Sequence, residues 1–229
     1  IAADGTIYNS VRNGHHQFRV AIEINRKDEQ LLENIRKMIH LTAPITRRDR
    51  FDKRTGNTYH MSSIAICSKE LVQYLETIGL GENKSLTMEY PDVPDEFFSS
   101  FLRGYFDGDG HIGRTIQICG SEKFLKTINS KLEVLTNVKG NVYFHSGIYV
   151  LEYCKTKIQK IVEYIYRNSC PLTRLDRKYQ VAKKYNFKVR HELSFTFDNQ
   201  ILAQRMFFLI RQLQKNVYIS KENERFVVF

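Results

Sequence analysis

Residues 101–112 read FLRGYFDGDGHI, an amphipathic helix pattern that runs into an acidic, glycine-rich turn. Phe98, Phe101, Leu102, Tyr105 and Phe106 recur at the three- and four-residue spacing of a helix with one apolar face. Just upstream, Pro91, Pro94 and Asp95 supply helix-start chemistry: aspartate caps free N–H groups and proline is tolerated in a first turn. Gly104 and Gly108 lie four apart, hence on one face, where a missing side chain lets another backbone come close. A glycine inside a helix costs about 1 kcal/mol against alanine, so two of them imply a close-packing requirement. Asp107 and Asp109 fall where the helix must end, and Gly110 can take the positive φ of a C-cap. Carboxylates there oppose the helix dipole by about 0.3–1 kcal/mol each, and a bound cation is the obvious compensation.

The same ending opens the chain. IAADGTI at residues 1–7 overlays FDGDGHI, with Asp4 on Asp109, Gly5 on Gly110, Ala3 on Gly108 and Ala2 on Asp107. Two copies, each followed by similar elements, make an internal repeat. After the first copy, residues 17–25 alternate cleanly: Phe18, Val20, Ile22 and Ile24 point one way, Gln17, Arg19, Glu23 and Asn25 the other. A helix over residues 28–40, a basic strand and turn over 45–54, a returning strand over 59–67 and a helix over 69–78 complete the first half. The second half repeats the order with a strand at 115–119, a helix at 122–135, a hairpin at 141–145 and 148–154, a helix at 157–166 and a basic helix at 175–185. Beyond it, residues 192–229 read strand, helix, strand, strand with no acidic turn in front.

LRGYFDGDG at residues 102–110 resembles the LAGLIDADG motif of homing endonucleases, and IAADG resembles the end of a first copy. The resemblance covers roughly residues 1–185 and implies an α+β fold: a pseudo-two-fold pair of αββαββα halves, here with a C-terminal βαββ extension. Expected boundaries are 1–88 for the first half, 89–188 for the second, and 189–229 for the extension, a possible partial third repeat. The resemblance also leads us to expect residues before Ile1 that complete the first motif helix.

Composition fits that reading. A formal net charge of +10 over 229 residues favours a polyanionic partner, most simply nucleic acid. No apolar run approaches the roughly 20 residues of a membrane span, and no signal peptide is visible. Cys67, Cys119, Cys154 and Cys170 form no C-x-x-C pair and read as reduced thiols of an intracellular protein; adjacent His15 and His16 lack finger-spaced cysteines.

If the two helices pack through Ala3 and Gly108, Asp4 and Asp109 come together. Like charges held close repel unless cations neutralise them. Carboxylates, backbone carbonyls and water are a magnesium ligand set, and such a site suits phosphodiester hydrolysis. The resemblance sharpens this: the last aspartate of each motif, here Asp4 and Asp109, binds metal, with the Ala3 and Gly108 positions beside it, and each site cuts one DNA strand. Asp107, opposite Ala2, is left a capping or secondary role. Lys84 and Lys178 match positions where the family keeps a basic residue near the active site. Expected DNA contacts are Arg12, Gln17, Arg19, Arg47, Arg48, Arg50, Lys53, Arg54, Arg114 and Gln117 on strands and turns, where Arg and Gln pair with base edges. Arg174, Arg177, Lys183 and Lys184 are expected on phosphates. The reading is a monomeric, magnesium-dependent (or manganese-dependent) endonuclease acting on double-stranded DNA at a long, non-palindromic site. The alternative is a binding protein on the same fold, an intron RNA maturase or a transcription regulator.

Overall fold

The computed structural model describes residues 1–12, 15–81, 88–91, 93–186, 195–197, 219–222 and 225–228. The chain forms two compact units, Ile1–Phe187 and Lys188–Phe229. In the first, β1 (Gly5–Arg12), β2 (His15–Asn25), β3 (Thr46–Asp52) and β4 (Asn57–Ile66) make an antiparallel sheet in the order β1-β2-β4-β3. Helices α1 (Glu29–Met38) and α2 (Lys69–Thr77) punctuate it. After α3 (Asp95–Asp109) the plan recurs: β5 (Gly110–Ile112), β6 (Thr115–Gly120), α4 (Glu122–Thr136), β7 (Asn141–His145), β8 (Ile148–Cys154) and α5 (Lys157–Tyr166). The second sheet has the order β5-β6-β8-β7, the first order repeated. A last helix of this unit, α6, spans Asp176–Lys183. Six α-helices are thus seen among the described residues.

Local chemistry explains most of the ends. Ser68 and Ser121 cap α2 and α4 by accepting from the amides of Leu71 (3.1 Å) and Phe124 (3.2 Å). Asn137 closes α4 in the left-handed region, φ 54°. Helix α3 departs from expectation at both ends. Pro94 is its N-cap and no side chain caps it; Asp95 instead takes the Lys131 ammonium at 2.6 Å. Gly110 is extended, φ −95°, because it already begins β5. Its missing side chain serves space instead, since a Cβ there would overlap the Phe106 ring and carbonyl. Strands β1 and β5, which residue alternation in the sequence does not predict, are both edge strands.

Helix α3 is the spine of the core. Phe98, Leu102 and Phe106 are wholly buried, and one apolar cluster joins them to Ile7, Val20, Val72 and Leu75 of the first half and to Ile116, Ile118, Phe124 and Leu151 of the second. Each sheet therefore turns one face to helices and keeps the other for solvent or a partner. In the second unit, β9 (Phe195–Phe197), β10 (Ile219–Glu222) and β11 (Arg225–Val228) form a three-stranded antiparallel sheet, β10-β11-β9. The helix expected within residues 200–213 lies outside the described residues.

Candidate active site

Both acidic turns end a helical turn and start an edge strand. In the first, the Gly5 amide donates to the Ile1 carbonyl at 3.0 Å, an i to i−4 bond that closes one turn before β1 begins. In the second, α3 runs through Asp109 into β5. The two turns touch. A Cβ on Gly108 would overlap the Ala3 methyl and lie 2.8 Å from Asp4 Oδ2, so Gly108 is glycine because the first copy of the motif occupies that space. Asp4 and Asp109 are both exposed. Gly104 behaves differently: nothing lies within 4 Å of the Cβ it lacks. It faces a cleft of about 520 Å³ lined by Ala3, Asp4, Leu31, Leu80 and Phe101.

Among the described residues no group of three or more His, Cys, Asp or Glu side chains gathers to hold a metal. A cation at Asp4 and Asp109 would complete its shell with backbone carbonyls, water or phosphate oxygens. Those are hard oxygen donors, and the set fits magnesium or manganese.

The compensation expected from a bound cation is partly built in. The Lys178 ammonium, on α6, donates to the carbonyls of Phe106 (2.7 Å), Asp107 (2.7 Å) and Gly110 (2.5 Å), with Gly108 O at 3.5 Å. It thus caps the C-terminal end of α3, where positive charge belongs. Burial lowers its pKa to about 8, against the supporting charges of Asp107, Asp4 and Asp109. Asp107 faces inward. Its Oδ2 accepts from the Leu175 amide at 2.8 Å and its Oδ1 from the Tyr166 hydroxyl at 2.8 Å. Burial pushes its carboxyl above the usual range, and those two hydrogen bonds, with Lys178 and Arg103, hold it back. Tyr105 donates to the Cys119 carbonyl at 2.9 Å; burial first, then the Asp109 charge, raise its phenol well above the ordinary range. The Tyr166 and Leu175 contacts carried no local signal in the sequence.

The first sheet sorts its arginines by pleat. Tyr8 opposes Arg19 across β1 and β2, and the guanidinium lies 5.6 Å from the ring centroid. Arg50 lies over its cross-strand partner Tyr59 at 5.8 Å. Arg48 shares this open face and pairs with Glu23 at 2.6 Å. Arg47 is elsewhere: alternation turns it to the helix-covered face, where Glu29 binds it bidentately (2.8 and 2.5 Å) and also accepts from Ser62. Gln17 is exposed, and so are Lys53 and Arg54 at the β3–β4 turn. In the second sheet Gln117 donates to Glu152 at 2.8 Å on the open face, and Arg114 is exposed at the β5–β6 turn.

The expected phosphate-binding arginines have internal partners. Arg177 pairs with Asp28 at 2.9 Å; Arg174 donates to the Ser169 hydroxyl at 2.9 Å and lies 3.4 Å over the Tyr179 ring. Lys183 and Lys184 are exposed. Lys84 and the Arg12 side chain lie outside the described residues.

No protein-family model matches this chain, and no curated protein does. Solved structures do match. Meganuclease I-SmaMI, bound to uncleaveable DNA, aligns with a TM-score of 0.57 at 14% identity over 81% of this chain and 86% of its own. Homing endonuclease I-WcaI, bound to its DNA recognition sequence, aligns with a TM-score of 0.55 at 14% identity over 79% and 81%. A variant of I-DmoI, in complex with its target DNA in the presence of magnesium, aligns with a TM-score of 0.51 at 17% identity over 71% and 89%. These neighbours are LAGLIDADG homing endonucleases, and this chain has their fold. No helix among the described residues is long and apolar enough to cross a membrane.

Proposed function

We propose that this chain is a magnesium-dependent endonuclease of the homing type, with manganese as the alternative ion, cutting both strands of a DNA duplex at one long, non-palindromic site. The observation that carries the reading is the contact of the two acidic turns, with Gly108 shaped around Ala3 and Asp4. The fold it shares with DNA-bound nucleases supports it. Asp4 and Asp109 would hold the cation, with the Ala3 and Gly108 carbonyls available beside it. A divalent ion bound there would supply positive charge at the scissile phosphate and lower the pKa of the attacking water. Lys178 contributes a fixed positive charge rather than a proton, because its N–H groups are taken by carbonyls. From its place in the sequence, Lys84 is assigned the corresponding basic role in the first half.

Each half, residues 1–88 and 89–188, takes one half-site, and the protein acts as a monomer. Arg19, Arg48 and Arg50 on the open face of the first sheet enter the major groove, and Gln17, Lys53 and Arg54 contact DNA with them; Arg12 is assigned to DNA from the sequence alone. Gln117 and Arg114 serve the second half, and Arg174 and Arg177 approach phosphates once released from their internal partners.

The test is cleavage of a randomised duplex library with magnesium, comparing the parent with Asp4→Asn and Asp109→Asn. Recurrent double-strand cuts at one long motif, reduced to nicks or lost in either variant while binding persists, are expected. Folded protein that enriches no cut site, or variants that lose binding but still cut, would overturn the assignment.

A further inference from the structure

We propose that Asp107 is a positioning residue for the second acidic turn: it seats the start of α6, and α6 lays the Lys178 ammonium across the carbonyls that flank Asp109. The inference rests on the function proposed above and deepens it, because it makes the two cutting centres unequal.

Three observations carry it. Asp107 is buried, 7% exposed, at the end of a helix whose dipole disfavours it, so its place needs a reason beyond solubility. Its two oxygens are each used once, one by the backbone amide of Leu175, the residue that caps α6, and one by Tyr166 at the end of α5. A carboxylate at a helix N-terminus is favourable, so Asp107 fixes where α6 begins. Three residues on, Lys178 points back at the end of α3 and bonds the carbonyls of Phe106, Asp107 and Gly110, on both sides of Asp109. The carboxylate and the ammonium therefore staple α6 to α3 with opposite polarity, and the turn carrying Asp109 sits inside the staple. The first copy has Ala2 at the corresponding position, which accepts nothing through its side chain. Among the described residues this device is seen at the second turn alone.

Strand-resolved cleavage tests it, with a duplex of the target labelled on both strands. Asp107→Ala should slow one strand by about 10- to 100-fold, the scale on which misplacement acts, and leave the other strand and DNA affinity within about threefold. Asp107→Asn keeps an oxygen for the Leu175 amide and should restore most of the lost rate; Tyr166→Phe, losing one bond of two, should fall between. A purely structural role would slow both strands together and in step with lost thermal stability, and that result would overturn the proposal.

A second readout stands without cleavage. Lysine acetylation mapped by mass spectrometry should leave Lys178 protected in the parent and label it in Asp107→Ala. Equal protection in both would refute the staple. A parent that cuts neither strand but shows this labelling change would sink the nuclease reading and keep the positioning contact.

Discussion

Glu29 accepts both guanidinium donors of Arg47 and the Ser62 hydroxyl, and its acidity follows from that crowd of donors. The Arg47 and then the Ser62 hydrogen bonds hold its carboxyl at about 2, below the ordinary 4.5. A carboxyl lowered by folding contributes stability that is complete above its unfolded value and is lost as pH falls through its folded one. The window here runs from about 4.5 down to about 2. In Glu29→Gln the unfolding midpoint should therefore decline less steeply across that window than in the parent, measured by thermal melts at stepped pH. Identical slopes would mean that the pair adds nothing. The neighbouring pair makes a different prediction. Glu23 holds Arg48 on the open face, so Glu23→Gln should free that guanidinium and tighten DNA binding at low salt. A weakened complex would place Arg48 outside the interface.

Helix α3 shows why a glycine pattern is not one requirement but several. Gly108 meets the first acidic turn, Gly110 meets Phe106, and Gly104 meets open space. Gly108→Ala should displace Asp4, abolish cleavage and lower the melting temperature. In the chain beginning at Ile1, where nothing lies within 4 Å of a Gly104 Cβ, Gly104→Ala should stabilise by up to about 1 kcal/mol through helix propensity alone. Thermal denaturation of the two variants separates these outcomes. Equal damage from both would show that another element packs on Gly104.

Across the molecule the two sheets divide their charge unequally. Strands β1–β4 carry Arg12, Arg19, Arg47, Arg48 and Arg50, while β5–β8 contain neither lysine nor arginine. The open face of the second sheet offers Gln117, Thr115, Asn141 and Glu152 instead. If both faces read DNA, counterion release belongs mainly to the first half. Arg19→Ala or Arg50→Ala should each reduce the slope of log affinity against log salt, by up to about 0.9 where the guanidinium also neutralises a phosphate, whereas Gln117→Ala should leave the slope alone and relax base preference at one position. Fluorescence anisotropy over a salt series measures both, and a slope change from Gln117→Ala would reverse the division.

The repeated acidic turn, the alternation of residues 17–25 and the helices near 122–136 and 157–166 were legible in the sequence because each is a local periodicity. Strand β1 was not, since it is an edge strand whose helix-facing side includes Asn9, held by Glu76 of α2. Asp107 read only as a secondary carboxylate, because its partners Tyr166 and Leu175 lie 59 and 68 residues away. Lys178 read as a charge beside the site, yet only packing reveals that carbonyls of α3 take its protons. Likewise every arginine of β3 carries the same charge in the sequence, and only the pleat of the folded sheet and the position of Glu29 decide which of them face outward. Sequence alone determined where the acidic groups recur and which way the strands alternate, since those depend on neighbours along the chain. Tertiary structure decided which polar groups are already satisfied, since hydrogen bonds and burial depend on neighbours in space.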